Sequence, residues 1–432
     1  MFFSIREFKK RPFGLFLFLI LIPFTQAQDL ADPIVSKIVI EGNNKTKDFI
    51  IYRELRHPLY ESIDTVEIYD DKNRLINLGI FSDVSWTKVP LEDGTVILKY
   101  IVQESIQKTP PTVFPSYKDR TGWSLNALWI FNNLRGRNQL LALSGSLGGE
   151  NTYGLSFRDP WLFNDHISFS MDIMRNFYRN RFLNYDIKLN SLKIGFGKWY
   201  SDQIKADMSL ASDSKLFTNT KENPLYKYLS LYLNIIYDSR DIYWNPGEGI
   251  LFSNSFKYLN GYDSKKFQTL IWNQSLSYYM VLNKSQKKAV LALNGRVKKK
   301  FGYRDKFFQD YVGSSNTVRG WLSPDSIAYQ QEPFRFGHEY LHASIEYRFE
   351  IIPKYITSNG IESGLVLVLF TDTGFILRNS FSNYSESIIY GSGFGIRIPF
   401  PMIGSLRFDC GIGIREGKLT SNSFHFGIGQ KF

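Results

Sequence analysis

The chain of 432 residues holds one cysteine, Cys410, so no disulfide framework can be built. A small apolar side chain is the simplest reading of it. Histidine is also scarce: His57, His166, His338, His342 and His425 are all there are. None lies in an HExxH arrangement, and no GxSxG elbow occurs. Strand alternation sets Ser344 near His342 and Ser423 near His425, the pair a hydrolase would need. The ordinary reading of both is a hydrogen-bonding histidine on a wet inner face. Gly391, Gly393 and Gly395 have a dinucleotide-loop look, but no helix follows them. On a strand such glycines relieve crowding. No catalytic residue, metal ligand or cofactor is assigned, and the chain is read as not an enzyme.

Long apolar runs are missing too. Beyond the N-terminus no segment approaches the ~20 residues a spanning helix needs. At the N-terminus, Lys9-Lys10-Arg11 precede the apolar stretch "FGLFLFLILIPF" and the small residue Ala27. This is the pattern of an export signal over residues 1–27, cut at Ala27. No cysteine lies near the cut, so a lipoprotein is not expected.

What the sequence has in quantity is aromatic side chains, 16% of residues, and a net charge of +11. Yet mean hydropathy is slightly negative. Many half-exposed strands fit that balance better than one large core. An exported protein rarely meets nucleic acid, so none is expected as a partner. Anionic lipid or lipopolysaccharide is the expected partner for clusters such as Lys298-Lys299-Lys300.

Residues 28–106 form a first unit. "IVSKIVIEGN" reads as strand and turn. "TKDFIIYREL" reads as a helix capped by Thr46, and "DTVEIYDDKNRLINLG" as a second helix closed by Gly79. "FSDVSWTKV" and "TVILKYIVQE" are two strands. The order is β-α-α-β-β. Pro110, Pro111 and Pro115 then mark a boundary.

From 107 to 432 the pattern is strand after strand, with about sixteen, an even number as single-chain barrels require. In "SLRFDCGIGI", Leu406, Phe408, Cys410 and Ile412 alternate with Ser405, Arg407, Asp409 and Gly411. In the last segment, 423–432, Phe424, Phe426, Ile428 and Phe432 alternate with Ser423, His425, Gly427 and Lys431. Arg407 and Asp409 suit a watery lumen, with the apolar face toward lipid. The fold class is a transmembrane antiparallel β-barrel behind one small domain. The longest junction, about 303–338, starts on the cell-surface side and contains Val318-Arg319-Gly320-Trp321. By alternation Glu346 and Asp372 wait on the lumenal face just after it.

The chain resembles the BamA/TamA-type outer-membrane assembly family, in which POTRA domains precede a sixteen-stranded barrel. "LINLGIFSDV" and "VQE" look like POTRA signatures; "FRDPWL", "YDSRDIYWNPGEG" and "LFTDTGF" look like barrel signatures. The most specific match is Val318-Arg319-Gly320-Trp321. The resemblance implies that this motif folds back into the barrel and that Arg319 meets Glu346 and Asp372. It also implies a C-terminal β-signal with Phe424, Phe426, Gly427, Gly429 and Phe432. A single POTRA domain is found, and residues before 34 leave no room for the plug helix of two-partner exporters. The implied function is a non-enzymatic outer-membrane insertase or translocase with its POTRA domain in the periplasm. Its implied clients are unfolded outer-membrane or secreted polypeptides. Accessory periplasmic proteins, and the choice between general assembly and export of one dedicated partner, stay open. A passive pore is the remaining rival, and it would have no use for the soluble domain. The seam between first and last strands is expected to be weak, because Pro111 and Pro115 cannot donate to a ladder and Gly427 and Gly429 pack weakly.

Overall fold

The computed structural model describes residues 32–108, 110–118, 121–162, 166–180, 185–263, 266–283, 288–356, 362–377, 387–400 and 404–432. The export signal read at 1–27 lies outside them.

The first domain comprises β1 (Val35–Glu41), α1 (Asp48–Tyr52), α2 (Thr65–Asn77), β2 (Phe81–Pro90) and β3 (Val96–Glu104). The sheet runs β1-β3-β2, parallel then antiparallel. The helices bury Ile50, Ile51, Ile68 and Leu75 against Val84, Leu98, Tyr100 and Val102. Asp64 caps α2, accepting from the Val66 and Glu67 backbone N–H groups. Asp71 is fully buried but satisfied by Tyr100 Oη at 2.8 Å, the Arg56 N–H at 2.8 Å and Arg74. Thr46 does not cap α1, whose N-cap is Lys47. Its hydroxyl instead donates to Glu104 and accepts from Asn133 of the barrel at 2.8 Å.

The large sheet has sixteen strands. They are β4 (Thr112–Lys118), β5 (Gly122–Leu134), β6 (Gln139–Gly148), β7 (Glu150–Asp159), β8 (Ile167–Asn180) and β9 (Tyr185–Trp199). Then come β10 (Ile204–Thr218), β11 (Leu225–Asp238), β12 (Gly249–Gly261), β13 (Gln268–Asn283) and β14 (Ala289–Gly302). The long junction carries a two-stranded pair, β15 (Asp310–Tyr311) and β16 (Phe336–Gly337), and the short helix α3 (Ser326–Gln331). The sheet resumes with β17 (Tyr340–Ile356), β18 (Glu362–Ile376), β19 (Ile389–Phe400), β20 (Gly404–Arg415) and β21 (Lys418–Ile428). Every neighbouring pair is antiparallel, and β14 pairs directly with β17. Among the described residues no ladder joins β4 to β21, so the sheet runs from one free edge to the other.

Alternation along the strands sorts the two faces. Leu229, Leu233, Ile235, Phe424 and Phe426 are exposed outward, while Ser230, Asp409 and His425 are buried inward. Lys298 and Lys300 also point inward, where both pair with Asp310 at 2.8 and 2.6 Å. The expected three-lysine lipopolysaccharide patch is therefore not formed; Lys299 has the opposite parity.

The last strand ends at Ile428, four residues before the chain does. Gly429, at φ +79, turns the tail away from the sheet. Phe432 thus leaves the lipid-facing row to which alternation assigned it. Its carbonyl accepts from Arg348 at 3.3 Å, and its ring lies 6.4 Å from that of Tyr279 inside the barrel.

The first domain sits across one mouth of the barrel. Lys47 N–H donates to Gly136 O at 3.0 Å, and Asn77 bonds both Asp241 O and Tyr243 N–H at 3.0 Å. Arg56 pairs with Asp202, and the Arg53 guanidinium lies 4.5 Å over the Trp161 ring. The barrel residues in these contacts lie in or beside the β5–β6, β7–β8, β9–β10 and β11–β12 connections, which marks that end as the domain side.

Candidate functional site

The junction between β14 and β17 folds into the lumen, and Arg319 lies at its innermost point, fully buried. Arg319 Nε and Nη2 bond the two oxygens of Asp372 at 2.8 and 2.9 Å, and its backbone N–H adds a third bond at 3.0 Å. Nη1 bonds Glu346 at 2.6 Å and approaches Asp409 at 3.5 Å. The guanidinium plane sits 3.7 Å over the Phe370 ring. A lysine could not reproduce this fork, because its ammonium is a single point charge.

The rest of the motif holds the backbone in place. Val318 and Trp321 are buried with Val312, Ile376 and Ile389. Trp321 Nε1 donates to Tyr390 O at 2.8 Å. Gly320 has φ +92, a left-handed conformation that favours glycine. Its N–H donates to His425 Nε2 at 3.2 Å, and its carbonyl accepts from Ser421 at 2.6 Å. His425 also lies 2.8 Å from Ser423, so this serine–histidine pair is occupied in anchoring the loop tip. Among the described residues His342 has no hydrogen-bond partner on either ring nitrogen, and Ser344 bonds Lys431 instead.

The strand glycines explain how a loop fits so close to the wall. A Cβ on Gly391 would run into Arg319 O, and one on Gly411 would lie 2.9 Å from Gly320 N. Together they form a Cβ-free track on β19 and β20 along which the motif lies. Gly427 does the same for the Arg407 guanidinium.

The charge cluster is larger than Arg319, Glu346 and Asp372. Arg348 bonds Glu346, and Arg397 bonds Asp409 at 2.7 Å. Arg407 holds the loop through Ser315 O and Asn316. Lys431, from the turned-in tail, pairs with Asp372 at 2.8 Å and donates to Thr317 O at 2.6 Å. Asp409, Arg397 and Arg407 lie on lumenal positions of the alternation, and Lys431 lies on the tail beyond the last strand. No spacing rule links them to Arg319, which is why they escaped the sequence reading as a group. Of the C-terminal signal residues, Phe424 and Phe426 face outward, Gly427 inward, and Gly429 and Phe432 belong to the turned tail.

The Omp85 superfamily domain matches residues 133–432. The chain belongs to the Omp85 superfamily. Residues 33–105 match the surface antigen variable number repeat, the POTRA family. This Omp85 chain is thus an outer-membrane β-barrel with a periplasmic POTRA domain, and the domain side of the barrel is its periplasmic mouth. It is 24% identical over 424 residues to the outer membrane protein assembly factor BamA of Nitratidesulfovibrio vulgaris, covering 92% of this chain and 51% of that protein. It is 31% identical over 157 residues to BamA of Neisseria meningitidis serogroup B, covering 36% and 20%. The chain spans about half the length, or less, of these relatives. In fold it resembles BamA from Haemophilus ducreyi lacking POTRA domains 1-3, with a TM-score of 0.56, 19% identity and coverage of 91% and 84%. It resembles CdiB from Acinetobacter baumannii equally, with a TM-score of 0.56, 17% identity and coverage of 92% and 74%.

Proposed function

We propose that the chain is an outer-membrane insertase or translocase that receives exported polypeptides at its POTRA domain and assists them into or across the membrane. The observation that carries this reading is the seam, which is unpaired among the described residues. A barrel in lipid normally satisfies every strand edge. An edge left without a ladder at β4 and β21 offers backbone donors and acceptors to an incoming strand, the chemistry of strand addition. A passive pore has no use for such an edge, and here the inward loop fills part of the lumen.

In this reading residues 1–27 are the export signal, 28–106 the POTRA unit, 107–432 the barrel, and 303–338 the inward loop. Val318, Arg319, Gly320 and Trp321 with Glu346 and Asp372 hold the loop, and the C-terminal signal comprises Phe424, Phe426, Gly427, Gly429 and Phe432. The barrel works without catalytic residue, metal or cofactor. Outer-membrane lipid surrounds the outward apolar rows, and Lys299 is the one member of its lysine cluster left for a lipopolysaccharide phosphate.

Conditional depletion followed by outer-membrane proteomics tests the proposal. Loss of many barrel proteins is the expected result. Loss of one secreted product alone would mean dedicated export, and no change in either would remove the proposal.

A further inference from the structure

Inside the barrel lies a cavity of about 1050 Å³, lined by residues of β5 to β14, by Tyr340 of β17 and by the docked POTRA domain. That is just above the ~300–1,000 Å³ typical of small-ligand sites. Its wall carries an unusual charge arrangement. Lys193 of β9 and Lys257 of β12 both lie 4.6 Å from the centre of one ring, that of Tyr232 on β11. Arg296 of β14 lines the same space, and its buried Nε has no hydrogen-bond partner among the described residues. Among the described residues none of these three cations carries a carboxylate partner. Of the nearby acids, Asp207 pairs with Lys205 at 2.9 Å, while Asp213 accepts from the Ser191 and Ser230 hydroxyls at 2.6 and 2.8 Å and offsets Lys257 only at a distance, without a salt bridge.

Like charges gathered around one space without a salt bridge to any of them repel one another, and an anion between them would relieve the repulsion. We propose that this cavity is a binding site for acidic segments of extended polypeptide entering from the periplasm, an inference that rests on the client-receiving function above.

Two observations favour peptide over lipid headgroup. The first is access. The ladders from β7 to β14 run in continuous pairing through this wall, so a lipid in the bilayer has no side entrance. Entry is from the mouth, where Glu54, Arg56 and Arg74 of the POTRA domain form the rim. The second is lining. Asn234, Asn273, Ser209, Ser253 and Ser255 offer amides and hydroxyls along the wall, which suit a peptide backbone. Tyr232 adds a flat surface already polarised by two ammonium groups.

The test uses the full chain, refolded in micelles, with labelled short peptides read by fluorescence anisotropy. An Asp/Ser peptide is compared with the matching Lys/Ser peptide, and soluble glycerol phosphate is added as competitor. The variants are Lys193→Gln/Lys257→Gln/Arg296→Gln and the charge-keeping Lys193→Arg/Lys257→Arg/Arg296→Lys, both checked for heat-modifiable gel mobility. The acidic peptide is expected to bind, to weaken about tenfold or more in the glutamine variant and in high salt, and to bind the charge-keeping variant nearly as well. Equal binding of acidic and basic peptides would overturn the site, as would unchanged binding in the glutamine variant. Failure of both variants to bind would make shape, not charge, the determinant and overturn it also. Glycerol phosphate binding without peptide binding would make the ligand a phosphate headgroup instead. If the peptide binds as expected but the glutamine variant supports normal outer-membrane protein levels after depletion of the native protein, the site stands and the client role fails.

Discussion

Lys431 Nζ lies 2.8 Å from the same Asp372 carboxylate that Arg319 grips with its two-pronged bond. The C-terminal tail and the inward loop therefore share one buried anion. Lys431→Met should loosen both elements at once. Removing one partner of a shielded pair typically costs about 3–5 kcal/mol, with Arg319 still present to reduce that here. The expected result is a lower temperature of heat-modifiable mobility and faster protease cutting in the loop. Unchanged melting together with unchanged loop protection would show that the tail is not a structural element of the cluster.

Arg319→Ala should cost more than Lys431→Met, because it leaves Asp372 and Glu346 both short of their main cation. Arg319→Lys should recover only part, since it keeps the charge but not the fork. A double-mutant cycle of Arg319→Ala with Asp372→Asn, read by thermal melting in detergent, should give a coupling of about 1–3 kcal/mol. Strict additivity would mean that the pair does not act as a unit.

Gly136 sits at φ +70, and a Cβ there would meet the Lys45 carbonyl of the POTRA domain. Gly136→Ala should therefore free the POTRA domain from the barrel mouth without unfolding either part. Faster proteolysis between residues 105 and 111, with unaltered barrel melting, is the expected pair of results. Slow proteolysis as in the native chain would show that the docking tolerates the methyl group.

Burial raises the Glu54 carboxyl above its usual range, against the opposing pull of the Arg53 guanidinium. A carboxyl with a raised folded value binds protons more readily folded than unfolded. Its contribution to stability is thus greatest below the usual carboxylate range and declines as pH rises through the raised value. Glu54→Gln should flatten the melting temperature against pH across that window and raise it near neutrality. A native profile retained in the variant would assign the dependence to another group.

The strands were legible because lipid outside and charge inside impose a strict period of two, as Arg407 and Asp409 against Leu406 and Phe408 show. The same rule assigned Glu346 and Asp372 to the lumenal face. It carried no information past Gly429, where the chain leaves the sheet, so Phe432 was placed on the wrong side. Applied to Lys298-Lys299-Lys300, the rule itself sends two of the three inward, and reading the cluster as a surface patch ignored it. Docking of the POTRA domain left almost no trace in the sequence, because bonds such as Lys47 N–H to Gly136 O use backbone atoms that every residue carries. Asp409 stands 90 residues from Arg319 and joins it only through the curvature of the sheet.

The seam between β4 and β21 carries the central claim. Cysteine pairs placed between residues 112–116 and 420–428, in a Cys410→Ser background, can lock it chemically. In cells depleted of the native protein, locked variants should lose barrel proteins from the outer membrane, and reductant should restore them. Normal barrel levels with the seam quantitatively locked would contradict strand addition at the seam as the mechanism.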